Sequence, residues 1–233
     1  MKKIFIHLKE NWIKYGFETL AFFVGLLLAF SLNNWNEERK DRIHEIEILS
    51  EIRQNLIQDL VDHNQNIDFL NHVVRSSEIV MDHLNNDLPY HDSLANHFAW
   101  LPMAANFNYV KSGYELWLSA GVSIISNDSI RSQISYIYGS TYTWLRDFLK
   151  DRHNLNNQPL FNDMMKKFKT FKILNRAVPR NYEQLKEDDE FKVLVQQNAY
   201  IIGVTGGMYK NILEEAKKLI DDLELEIKRL KKK

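Results

Sequence analysis

The chain has 233 residues, 45% of them hydrophobic, and balances 30 basic against 31 acidic side chains. That composition can bury a sizeable core and argues against disorder, while only eight glycines and four prolines argue against a many-stranded β fold. With no cysteine, disulfides, thiolate metal sites and thiol nucleophiles are excluded.

Residues 1–14 are predicted to be a basic cytoplasmic tail, with Lys2, Lys3, Lys9 and Lys14 against Glu10. Residues 15–35 are predicted to be a transmembrane helix. Thr19 to Asn36 is 18 residues without a charge, which as a helix covers about 27 Å, close to the hydrocarbon thickness of a bilayer. Trp12 and Tyr15 at one end and Trp35 at the other are expected as membrane-interface anchors, because amphipathic rings favour the headgroup level. The lysine bias then places the following domain in the periplasm of a bacterial inner membrane. A cleaved signal peptide competes through Ala29-Phe30-Ser31; the long leader, Glu10, Glu18 and Trp35 argue against it.

Within the span, Ala21, Gly25 and Ala29 form a small-residue stripe with Glu18 on the same face. Small residues let helix backbones approach closely, so this face is expected to meet a second copy of the chain or another membrane protein. Glu18 is costly in a membrane segment. It either contacts a partner or pairs with Lys14 near the interface.

Residues 36–87 are predicted to be a long membrane-proximal helix. They lack Gly and Pro, and Leu49, Ile52, Leu56, Leu60, Ile67, Leu70 and Val74 recur at helical spacing up to the Asn-Asp-Leu-Pro turn before Pro89. This segment holds twelve acids against five bases, whereas 166–172 and the terminal KRLKKK are basic. Attraction between helices within one chain accounts for the segregation more simply than nucleic-acid binding, for which no motif is present.

Residues 88–187 are expected to form a helical domain. Ser112-Gly113-Tyr114-Glu115 has capping-box spacing, Gly121 suits a helix C-terminus, Asn127 or Ser126 suits the next N-cap, and Pro159 suits a first helical turn ahead of Phe161, Met164, Met165, Phe168 and Phe171. Pro179 marks a loop. Residues 188–233 are predicted to be a C-terminal helix, starting near Asp188 or Asp189 and packing back on the proximal helix through Ile212, Ala216, Leu219, Leu223, Ile227 and Leu230.

Two stretches carry a resemblance. Gly16-x-Glu18 followed by LLLAFSLNNWNEERKDR, and later YVKSGYELWLSAGVSIISNDSIRSQISYIYG, resemble the recurring segments of an uncharacterised family of Bacteroidota single-pass membrane proteins. Ala120 and Val122 around Gly121 depart from the pattern. The resemblance implies a membrane anchor and a helical domain, with no assigned activity or catalytic residue.

No catalytic motif is visible. Asp59/His63 and Asp68/His72 are i,i+4 pairs, but without HExxH or a ferritin-like Glu-x-x-His they read as surface ion pairs. Asp92 or Ser93, near His91 and His97, reads as a cap. Lys111-Ser112-Gly113 matches a penicillin-enzyme lysine box but lacks the Ser-x-x-Lys nucleophile. Gly203, Gly206 and Gly207 read as close helix packing or a hinge, and Trp117, Tyr136, Tyr138, Tyr142, Trp144 and Phe148 as core rather than pocket.

The expectation is therefore an all-α protein: a transmembrane helix continuing into a long helix, then an antiparallel bundle. No cofactor, metal, catalytic site or nucleic-acid partner is expected. The expected partners are the lipid bilayer and a second copy or another membrane protein. The expected role is a scaffold or interaction subunit, with a ligand-binding or sensory subunit of a signalling or transport complex as the alternative.

Overall fold

A computed structural model describes residues 12–232. Lys2, Lys3 and Lys9, on which the topology expectation leans, and the terminal Lys233 lie outside the described residues, as do the side chains of Trp12 and Tyr15. The chain divides into two compact units, Met1–Glu47 and Ile48–Lys233.

Helix α1 (Trp12–Asn85, 74 residues) runs through both. From Gly16 to Trp35 its side chains are exposed on every face, including Phe17 at 71% and Trp35 at 63%. This stretch is long and apolar enough to cross a membrane by length and composition. Glu18 is exposed and its carboxylate lies 4.0 Å from the Lys14 ammonium. Ala21, Gly25 and Ala29 are exposed. A Cβ added at Gly25 would meet nothing within 4 Å.

In the second unit α1 buries Leu49, Ile52, Leu56, Leu70, Val73, Val80 and Leu84, spaced three, four or seven residues apart or by sums of these, as one helical face requires. It stops at Asn85; Asp87 follows with φ 51° and Pro89 prevents continuation. Helix α2 (Leu94–Trp100) comes next, then a non-helical stretch, Met103 to Lys111, here termed the strap. Helix α3 (Ser112–Ala120) ends at Gly121, whose φ of 97° suits only glycine, and a 3-10 turn covers Val122–Ile124.

Helix α4 (Asp128–Ile134) is capped by Asn127, whose side-chain oxygen accepts from the Ser129 and Ile130 N–H groups at 3.0 and 3.4 Å. A π-helical stretch (Ser135–Thr141), helix α5 (Tyr142–Arg152), a second π-helical stretch (His153–Asn157) and helix α6 (Gln158–Lys167) follow without a break, Pro159 lying in the first turn of α6. Helix α7 (Tyr182–Lys186) precedes helix α8 (Asp189–Lys231), which Asp188 caps by accepting the Phe191 N–H at 3.0 Å.

The fold is predominantly helical, but the expectation of helices alone fails between α6 and α7. Phe168–Lys172 (β1) and Arg176–Pro179 (β2) form an antiparallel hairpin. Phe168 and Phe171, expected on a helix, are strand residues, and Pro179 ends a strand rather than sitting in a loop. Aromatic and β-branched residues suit a pleated surface, and Leu174 with φ 55° provides the reversal. Phe168 and Ala177 enter a core shared with Phe98, Leu160, Met164, Leu185, Phe191 and Val195. Outside that core, Asp92 pairs through both oxygens with the Arg176 guanidinium of the hairpin, so it is a tether rather than a cap.

Helix α8 meets α1 with the residue numbers running in opposite senses. Arg53 donates to Glu224 at 2.8 Å, and Asn66 donates to the Tyr209 hydroxyl at 3.4 Å. No close helix approach requires glycine at Gly203, Gly206 or Gly207 on α8: a Cβ at any of them would meet nothing within 4 Å.

Candidate functional site

A backbone stretch without helix or strand cannot satisfy its own N–H and C=O groups, and the strap borrows partners from three directions. From α1, Asp59 Oδ1 accepts the Val110 N–H at 2.8 Å and Asn66 Nδ2 donates to the Asn106 carbonyl at 3.2 Å. From α8, the Tyr209 hydroxyl donates to that same carbonyl at 3.3 Å, and Asn198 Nδ2 reaches the Leu101 carbonyl at 2.7 Å, just before the strap. From the second π-helical stretch, Asn157 Nδ2 donates to the Met103 carbonyl at 3.3 Å. The extra residue in a π turn rotates the helical residues beyond it. Asn156 and Asn157 in this stretch are buried.

Where the strap becomes α3, the expected capping box is replaced. Glu115 pairs with Lys111 at 2.6 Å instead of folding back on the Ser112 amide, and Ser112 Oγ donates to Asn55 of α1 at 3.2 Å. The same Asn55 oxygen accepts the Gly113 N–H at 2.8 Å. Gly113 must be glycine for a spatial reason: an added Cβ would lie 2.7 Å from the Ile52 backbone nitrogen.

Beneath the strap, Asp59 and His63 are both 0% exposed, so the expected surface ion pair is overturned. Phe107 of the strap stacks on the His63 ring with centroids 4.7 Å apart, while Tyr209 and Tyr142 present edges at 5.5 and 5.9 Å. Neither His63 nitrogen, nor Asp59 Oδ2, nor the Tyr142 hydroxyl reaches hydrogen-bond geometry with a partner among the described residues. Burial pushes the Asp59 carboxyl up to about 7, with the Val110 N–H pulling down, the Asp62 charge pushing up and the nearby Tyr142 hydroxyl pulling down. Burial pushes His63 down to about 4, with Asp62 opposing. Around pH 5 to 6 both groups are thus neutral, the proton resting on the acid. The pair is sealed from solvent beneath the strap.

The spacing carries a signal for this pair. Ile52, Leu56, Asp59, His63, Ile67 and Leu70 continue one helical seam, and two polar residues inside an apolar seam point inward. Asp68 and His72, by contrast, are exposed, and the His72 ring lies 4.0 Å from that of Trp100. The aromatic group expected as core divides: Trp117, Tyr138 and Tyr142 are buried, whereas Tyr136 and Trp144 are exposed and Phe148 half-buried.

Clefts flank the strap. One, of about 380 Å³, lies between it and α1 and is lined by Asp62, Gln65, Asn66, Phe69, Ala104, Ala105, Asn106 and Asn108. Another, of about 320 Å³, is lined by strap residues together with Arg146, Leu149, Lys150, His153 and Asn154. Among the described residues, no three His, Cys, Asp or Glu side chains converge on a position for a metal ion.

A family of unknown function, DUF6090, has a model that matches residues 18–197. The chain belongs to this family. The DUF6090 stretch begins at Glu18 and contains every residue lining both clefts, as well as Asn55, Asp59 and His63; Tyr209 lies beyond its end. No curated protein and no solved structure matches the chain.

Proposed function

We propose that the chain is a single-pass protein of a bacterial inner membrane, with its helical domain in the periplasm as a scaffold or interaction subunit of a membrane assembly. One observation carries this reading: from Phe17 to Trp35, α1 exposes large apolar side chains on all faces. Apolar surface left in water costs about 25 cal/mol per Å², and a bilayer removes that cost without a protein partner. The stripe of Glu18, Ala21, Gly25 and Ala29 is then the face that meets a second copy or another membrane protein. Trp12, Tyr15 and Trp35 anchor the ends at the interface.

Fractionation of a bacterial host tests the anchor, and protease the orientation. The full chain is expected to stay with membranes through alkaline carbonate, and its domain to be cut once the outer membrane is permeabilised. Release by carbonate overturns the anchor; protection from protease overturns the orientation.

A second reading, a ligand-binding or sensory subunit, is supported by the strap. A stretch of chain held by side chains from separate elements, with clefts on either side, is a common arrangement for a binding loop on a rigid scaffold. No catalytic role is proposed.

A further inference from the structure

The cleft between α1 and the strap is lined by amides and one carboxylate. Asp62, Gln65, Asn106 and Asn108 border it, and all four are exposed. Phe69 adds an aromatic ring, 5.2 Å from that of Trp100. This lining discriminates between ligand classes. No cationic side chain faces the cleft, so a phosphate-rich polymer has no counter-charge there. Apart from Phe69 and two alanines the walls are polar, unlike the largely apolar lining of a site for a hydrophobic ligand.

An amide group both donates and accepts, and a carboxylate accepts; a sugar hydroxyl does both in return. The electron-rich face of an aromatic ring suits the C–H face of a pyranose. The volume of about 380 Å³ falls within the usual range for small-molecule sites. The strap is also fixed in advance: Asn66 and Tyr209 hold the Asn106 carbonyl, and Asp59 holds the Val110 N–H. Little ordering of the loop is then left to oppose binding.

We infer that this cleft binds a short neutral saccharide through Asp62, Gln65, Asn106 and Asn108, with Phe69 against a ring face. The inference rests on the ligand-binding reading and is independent of the membrane anchor.

Isothermal titration calorimetry on the full chain, in a detergent without a sugar headgroup, tests it. The probes are chitotriose, maltotriose and cellotriose, with triglycine and citrate as the other classes. At least one trisaccharide is expected to bind saturably, and its affinity to fall at least tenfold in an Asp62→Ala, Asn108→Ala double variant. Both positions are exposed, so the thermal midpoint of that variant is expected to match the parent. Saccharide binding that survives the double substitution overturns the site. Binding of triglycine or citrate alone, lost in the variant, overturns the saccharide class and leaves the ligand-binding reading standing. Silence from every probe overturns both.

Discussion

Asn55 on α1 caps α3 across 58 residues of sequence, its side-chain oxygen accepting the Gly113 N–H at 2.8 Å. The bond is buried, so Asn55→Ala strands an amide away from water and is expected to cost about 1–3 kcal/mol. Asn55→Asp keeps the acceptor and is expected to lose less. Chemical denaturation of the two variants in parallel decides it, and equal losses would mean that the oxygen is not the stabilising atom.

Gly113→Ala tests the close approach of α3 to α1. The new methyl group would stand 2.7 Å from the Ile52 nitrogen, a backbone atom with no rotamer to escape into. Overpacking of this kind is expected to cost about 1–3 kcal/mol. Gly203→Ala on α8, where a Cβ meets nothing, is expected to be neutral or stabilising because alanine favours a helix. The expected result is a lowered thermal midpoint for Gly113→Ala and an unchanged or raised one for Gly203→Ala.

The buried Asp59–His63 pair gives a pH dependence visible only when it is split. In the unfolded chain the acid has a pKa of 3.8 and the imidazole 6.5, so between them the single proton sits on the imidazole; in the folded chain it sits on the acid. Both states bind the same number of protons from about pH 4 to 6.5, and the pair adds almost no slope there.

Asp59→Asn leaves His63 alone with a depressed pKa. The unfolded state then takes up more protons as pH falls from 6.5 to about 4, and roughly 3 kcal/mol of stability is expected to be lost across that window. His63→Gln leaves Asp59 alone with a raised pKa. The folded state then holds more protons, and roughly 4 kcal/mol is expected to be lost as pH rises from about 4 to 7. Urea midpoints measured across this range should slope in opposite directions; parallel slopes would show that the two groups share a charge instead of excluding it.

The membrane stripe has its own test. Gly25→Leu with Ala21→Leu puts bulk on the proposed contact face, whereas Leu27→Ala alters the opposite one. In-membrane crosslinking is expected to drop in the first variant and persist in the second. Equal crosslinking in all three proteins would reduce the span to an anchor.

Features decided within a few residues are legible in the sequence. Asn127 and Asp188 cap, Pro159 opens a helix and Gly121 takes positive φ because each depends on its immediate neighbours. Ser112 and Glu115 have the right spacing, yet Asn55 takes over the amide at Gly113, and no local rule anticipates a cap delivered by another helix. Asp59 and His63 are visible as a pair, but which face of α1 they occupy depends on the strap laid over them. The hairpin is hidden because Phe168 and Phe171 continue the apolar spacing of α6, so helical and strand readings coincide there. For the clefts the sequence offers nothing, since their walls come from residues on α1, the strap, α5 and the second π-helical stretch.

The Leu101 carbonyl just before the strap and the Asn106 carbonyl within it are held by Asn198 and Tyr209, 97 and 103 residues downstream of the groups they bind. Contacts so distant in sequence are slow to form, because a long loop must close before they contribute. During synthesis, α1 and the strap emerge well before α8 exists. The Asn106 carbonyl then lacks the Tyr209 hydroxyl and is held by Asn66 of α1 alone. The proposed binding face is therefore expected to be among the last parts of the protein to mature.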